Sequence, residues 1–160
     1  KIAYNGARFL KGEWRFMRPI SIKRFEIFYL LSFVVGLLNM VVAWDATMQQ
    51  MAAAGPGMED YGPAIMVGSV AIGALITLLL WFFTARKASN IARWIIVIFF
   101  AISLFSNVMS LARGSFPDGL GAVIAIVSLL LEAAAVVMLF QPDARAWFAN
   151  DEAVGADTFE

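Results

Sequence analysis

Four uninterrupted apolar runs constrain this chain more than any other feature. They cover 25–44 (FEIFYLLSFVVGLLNMVVAW), 64–84 (AIMVGSVAIGALITLLLWFFT), 94–111 (WIIVIFFAISLFSNVMSL) and 120–140 (LGAVIAIVSLLLEAAAVVMLF). A helix rising about 1.5 Å per residue needs roughly 20 apolar residues to cross the roughly 30 Å hydrocarbon core of a bilayer. All four runs meet that length. None alternates apolar with polar residues as a membrane strand would. The first run exceeds the roughly 7–15 apolar residues of a signal-peptide core and follows 24 residues, so it reads as a span and not as a cleaved leader. Composition agrees: 61% of the 160 residues are hydrophobic and 15% charged, against about 45–50% and about 25% in soluble domains. A chain this short has too little interior to hide that excess from water.

The sequence therefore predicts an all-α fold: an integral membrane four-helix bundle, up-down and antiparallel. A basic interfacial segment over 1–24 precedes the transmembrane domain over 25–140, and a tail over 141–160 follows it. Seven of the twelve Lys and Arg fall in the first 24 residues. Residues 45–63 hold no Lys or Arg, 85–93 hold Arg86, Lys87 and Arg93, and 112–119 hold only Arg113. Excess positive charge marks the cytoplasmic side. This places the N-terminus and 85–93 in the cytoplasm, and four crossings return the tail to the same side. Trp44, Trp81 and Trp94 lie near the ends of the runs, where indole rings favour the headgroup zone. Short connections make the second and third spans neighbours, and the third and fourth. Thr47 to Ala54 suits a short helix on the outer surface, and 85–93 a tight turn.

Residues 7–18 carry Ala7, Leu10, Trp14 and Met17 on one helical stripe, with Arg8, Lys11, Arg15 and Arg18 one residue on. With Lys23 and Arg24, these cations are candidate contacts to anionic lipid headgroups. The segment after Pro142 predicts one short interfacial turn around Trp147 and Phe148, then an acidic end. The charge asymmetry is that of membrane topology, and nothing in it suits nucleic-acid binding.

The chain has no Cys and no His, which excludes disulfides, thiolate chemistry and imidazole-held metals or haem. No Walker sequence, nucleophile elbow, zinc-protease or kinase signature occurs. A non-enzymatic protein without cofactor is expected.

Glu132 is the one ionisable residue well inside a span. A carboxylate at that depth is costly and faces protein or water. Ser32, Thr77 and Ser103 lie at matching depth in the other three spans, and no Lys or Arg does. Three readings follow for Glu132: a hydrogen bond that glues helices, a proton or cation site, or a contact to another subunit. In the third run Ser103, Ser106, Asn107 and Ser110 recur at i, i+3, i+4 and i+7, one helical face. Asn39 of the first run is at a compatible depth for Asn107, and the stripe reads as interhelical hydrogen bonding before it reads as a permeation path. Ser32 with Gly36, and Ser69 with Gly73 and Thr77, form four-spaced small-residue seams for close helix approach.

The lead-in Arg18-Pro19-Ile20-Ser21-Ile22-Lys23-Arg24-Phe25-Glu26, running into Tyr29-Leu30-Leu31, and the ending Leu139-Phe140-Gln141-Pro142-Asp143-Ala144-Arg145-Ala146-Trp147-Phe148 resemble those of small four-helix inner-membrane proteins of proteobacteria. The resemblance implies that layout and a bacterial inner (plasma) membrane. It implies no activity. Within the lead-in, Pro19 stops any preceding helix, Ser21 suits a cap and Glu26 suits the first turn.

The leading expectation is an accessory subunit or assembly partner of a larger membrane complex, touching lipids and other subunits or a second copy. The alternative is a small proton- or cation-coupled transporter or channel that uses Glu132. A third class, a lipid- or stress-responsive factor acting through the basic N-terminal segment, ranks below both.

Overall fold

A computed structural model describes residues 18–55 and 58–156 of the chain. Among these the fold is all-α, with six helices: α1 Ile20–Val42, α2 Trp44–Ala54, α3 Met58–Lys87, α4 Asn90–Ala112, α5 Gly119–Leu139 and α6 Pro142–Ala156. Four of them, α1, α3, α4 and α5, are long and apolar enough to cross a membrane. Each contains one of the apolar runs, with its ends displaced. α3 begins six residues before its run and carries Pro63 in its second turn. At 30 residues it is about 45 Å long, longer than a hydrocarbon core is thick. The runs mark what lipid can cover, whereas the helices continue until a turn residue stops them.

The turns explain those stops. Only Ala88 and Ser89 separate α3 from α4. Ala88 takes a left-handed φ of 53°, the Ser89 N–H returns to the Phe83 carbonyl at 3.0 Å, and the Ser89 hydroxyl caps α4 by accepting from the Ala92 N–H. α4 ends in a Schellman motif. Gly114 has φ +66°, its N–H bonds the Leu111 carbonyl, and the Ser115 N–H bonds the Ser110 carbonyl. At the start of α3 a Cβ on Gly62 would sit 3.3 Å from Met48 Sδ, so glycine there lets α2 fold back onto α3.

The start of α1 differs from its sequence reading. The helix begins at Ile20 behind Pro19, with no side-chain cap of its own and no acid in the first turn. Ser21 is not the cap. Its hydroxyl and N–H both donate to the Asp143 carboxylate of α6. The N-terminus of α1 is therefore capped by a carboxylate 122 residues away in sequence, where negative charge meets the positive end of the helix dipole. Glu26, beyond the first turn, pairs with Arg18 at 2.6 Å and Arg86 at 3.4 Å.

The tail also differs from expectation. One short turn was expected after Pro142, but α6 is 15 residues long. Its Ala144 and Phe148 are buried in the core, and Arg93 lies over the Phe148 and Phe140 rings, 5.1 and 4.2 Å from their centroids. Of the basic interfacial segment over 1–24, residues 1–17 lie outside the described residues. These include Arg8, Lys11, Arg15 and the stripe over 7–17.

Packing is uneven along the helices. The buried cluster joins Ile22 and Phe25 of α1, Leu80 and Ala85 of α3, Ala92 and Ile96 of α4, Ala135 and Leu139 of α5, and Ala144 and Phe148 of α6. It thus gathers the start of α1, the end of α3, the start of α4 and the end of α5 at one level. α1 packs most extensively on α5, and α3 and α4 complete a ring with them. On the α1–α5 seam the Ser128 hydroxyl points at the Ser32 carbonyl, 3.5 Å away. Outside the cluster the long helices expose bulky apolar side chains on most of their surface, among them Ile91, Phe105, Leu120 and Leu130.

Two consequences can be measured. Thr84 is fully buried and its Oγ1 has no hydrogen-bond partner. A buried unsatisfied hydroxyl costs about 1–3 kcal/mol. Thr84→Val keeps the shape and removes the cost, so it is expected to raise stability by about 1 kcal/mol in reversible unfolding in detergent. Asp143 is the second. The Ser21 hydroxyl bonded to it, ahead of a smaller opposing effect of burial, holds its carboxyl below the usual carboxylate range. A carboxylate depressed in the docked state contributes stability that is complete above its ordinary value, roughly pH 4, and lost as pH falls through the depressed one. Amide protection over 143–149, taken relative to the intrinsic exchange rate at each pH, should therefore be steady from neutral pH down to about 4 and fall below it. Asp143→Asn should exchange faster at neutral pH and lose the part of the acid response that Asp143 carries.

Candidate intramembrane polar site

Above the buried cluster the four long helices separate and line a partly open cavity of about 400 Å³. Each contributes one helical face: Tyr29, Ser32, Phe33, Gly36 and Leu37 from α1; Val70, Gly73, Ala74 and Thr77 from α3; Ile96, Phe99, Phe100 and Ser103 from α4; Ser128, Glu132 and Val136 from α5. Counted from the first residue of each set, the positions fall at i+3, i+4, i+7 or i+8, so each set projects from one side of its helix.

The cavity exists because the lining faces alternate large and very small side chains. A Cβ built on Gly36 or Gly73 would meet nothing within 4 Å. These glycines do not press against a neighbouring helix. They leave volume, which corrects their reading as close-approach seams. Ser32 does sit at a close approach: it is buried on the α5 side, with its hydroxyl turned back to the Tyr29 carbonyl at 2.8 Å.

The polar part of the wall is compact. Glu132 lies beside Ser103 with its Oε2 buried and without a partner, and Tyr29 lies beside Thr77 on the same lining. The structure thus brings Glu132, Ser32, Thr77 and Ser103 to one cavity. Tyr29 and Ser128 join them without having been singled out in the sequence. Tyr29 lies one turn before Ser32 and Ser128 one turn before Glu132, so depth matching extended to tyrosine and to neighbouring turns would have found both.

The remaining polar candidates fall elsewhere. Ser103 alone of the α4 stripe lines the cavity. Asn107 turns back to the Ser103 carbonyl of its own helix at 2.8 Å, Ser110 meets Ser115 at the turn, and Ser106 is exposed. Asn39 is half-buried and does not line the cavity. The stripe satisfies itself locally, as short polar side chains in helices commonly do. Among the headgroup candidates, Lys23 and Arg24 are exposed on α1, while Arg18 is drawn to Glu26.

Among the described residues no three His, Cys, Asp or Glu side chains are grouped as a metal site would need. The chain matches no protein-family model, no curated protein and no solved structure.

Proposed function

We propose that this is a multi-pass membrane protein, an antiparallel bundle of α1, α3, α4 and α5 in a bacterial inner membrane with both ends cytoplasmic. We infer further that it binds and passes a proton or another monovalent cation through the cavity at Glu132. The gathering of alternating helix ends in one buried cluster supports the antiparallel arrangement, and the basic residues around 85–93 support the topology.

One observation carries the transport reading: the buried, unpartnered oxygen of Glu132 at a partly open cavity with no cation among its lining residues. A carboxylate kept only as helix glue would have both oxygens satisfied, because a buried polar atom without a partner costs free energy. A carboxylate that receives a mobile cation must keep one oxygen free. The accessory-subunit reading ranks second, because the exposed apolar faces are what lipid contact alone requires.

Purified protein in liposomes is expected to dissipate an imposed proton or alkali-cation gradient, and Glu132→Gln to reduce that flux at least tenfold without loss of the fold. Equal flux through wild type and Glu132→Gln would remove Glu132 from the mechanism. No flux of any cation through the wild type would remove the transport reading and favour the subunit reading.

A further inference from the structure

The lining of the Glu132 cavity is chemically lopsided. One carboxylate and a few hydroxyls, drawn from all four long helices, supply its polar atoms, and the rest is aliphatic and aromatic, with Phe33, Phe99 and Phe100 among the lining residues. A small hydrated ion can pair with Glu132 but gains nothing from the apolar part of such a wall. Divalent cations need six or more oxygen ligands or near-ideal octahedra, and a single carboxylate offers neither the ligands nor the charge. A lipid tail would suit the apolar side but leave Glu132 Oε2 without a partner. A neutral apolar molecule leaves it unpaired as well.

One class uses both parts of the wall. A weakly hydrated organic ammonium gains from aromatic faces and from one desolvated counter-charge. Its apolar body fills the volume that Gly36 and Gly73 leave open. At about 400 Å³ the cavity lies toward the small end of ligand pockets, roughly 300–1,000 Å³, so a single-ring body suits it.

We propose that the Glu132 cavity is a binding site for monovalent organic cations that carry a ring-sized apolar group, with Glu132 as counter-ion and the Gly36–Gly73 space as the seat of the apolar group. This rests on the cavity being a cation site, as proposed above, and names its ligand class.

Equilibrium binding of radiolabelled benzyltrimethylammonium to the full chain in zwitterionic-lipid nanodiscs tests it, with benzyl alcohol as the uncharged competitor and NaCl as the inorganic one. Saturable binding of one cation per chain is expected, untouched by benzyl alcohol at equal concentration. Glu132→Gln should weaken it at least tenfold, and Glu132→Asp should retain part of it. Gly36→Leu and Gly73→Leu fill the cavity while leaving the carboxylate in place, and each should weaken binding at least tenfold with helicity and monodispersity unchanged. If either leucine variant misfolds, the matching alanine variant gives a smaller loss of the same sign.

Binding that survives Glu132→Gln, or that survives both leucine substitutions in folded protein, overturns the proposal. Displacement by NaCl that N-methylglucamine chloride of equal ionic strength does not cause also overturns it, since the site would then select inorganic ions. Absent binding with intact Glu132-dependent proton or alkali-cation flux rejects the ligand class and leaves the transport reading standing. Absent binding together with absent flux rejects both.

Discussion

Phe25→Ala is expected to destabilise the whole molecule by about 3 kcal/mol, the low end of the usual range for truncating a buried phenylalanine. Phe25 is completely buried, stacks on Tyr29 at 5.2 Å, and belongs to the one cluster shared by α1, α3, α4, α5 and α6. In water such a loss combines a transfer term with a cavity term. With lipid as the solvent proposed for these helices, the transfer term shrinks, because an apolar side chain is as comfortable in lipid as in protein. Lost dispersion contacts and the unfilled space remain. The magnitude is therefore lower than in a soluble core, but the effect is global, because among the described residues no second buried cluster stands behind this one. Leu130 is the control. It is 64% exposed in the middle of α5, and Leu130→Ala should change stability by less than about 0.5 kcal/mol. Reversible unfolding in mixed detergent micelles, followed by helicity, separates the two. Equal effects would mean that the cluster does not hold the helices together.

The existence and type of the long helices were legible in sequence because lipid-length apolar runs have few alternatives. Their ends were not. α3 starts at Met58 because helical hydrogen bonding continues through Tyr61 and past Pro63, where hydropathy carries no signal. Loop lengths anticipated the α3–α4 and α4–α5 neighbours. They said nothing of α1 on α5, the most extensive contact, since that pairing joins the first span to the last. Nor did local pattern tell that Asp143 would cap α1: Asp143 reads as a first-turn acid of its own helix, and only the docking of α6 brings it to Ser21.

For the polar site, depth counting put Glu132, Ser32, Thr77 and Ser103 at one level, and the cavity contains all four. Depth is one coordinate of three. Rotation about each helix axis was unknown, which is why Asn39 and Asn107 looked like partners at equal depth and yet Asn107 satisfies itself on its own backbone. Glycines misled for a related reason. Gly36 and Gly73 read as contact points because small residues commonly are, but whether a missing side chain admits a neighbour or leaves a space depends on where the neighbour stands.

Phe148→Ala should have a different outcome from Phe25→Ala although the two rings are almost equally buried, at 2% and 0% exposure. Phe25 sits in α1, which packs on three other long or terminal helices, whereas α6 makes limited contact with α1 and α5 and meets α4 through Arg93. What holds α6 is short: the Phe148 and Ala144 side chains in the cluster, Asp143 on Ser21, Arg145 Nε on the Phe140 carbonyl at 3.1 Å, and Arg93 over the Phe148 ring. Burying one phenylalanine contributes about 1.5–3 kcal/mol where its surroundings replace water, and the polar contacts contribute about 0.5–1.5 kcal/mol each. Removing the ring takes away the largest part and the partner of the Arg93 contact together. The four long helices do not depend on it. The expected result is undocking of α6 in a majority of molecules, read as loss of amide protection over 143–149 and faster proteolysis there, with helicity of α1, α3, α4 and α5 and their unfolding midpoint nearly unchanged. Because Asp143 leaves with α6, the start of α1 loses its cap, and protection of the Ser21 and Ile22 amides should fall in the same variant. Loss of protection throughout all helices would show instead that α6 is an integral part of one cooperative unit. Full protection of 143–149 would show that Asp143 and Ala144 hold the helix without the ring.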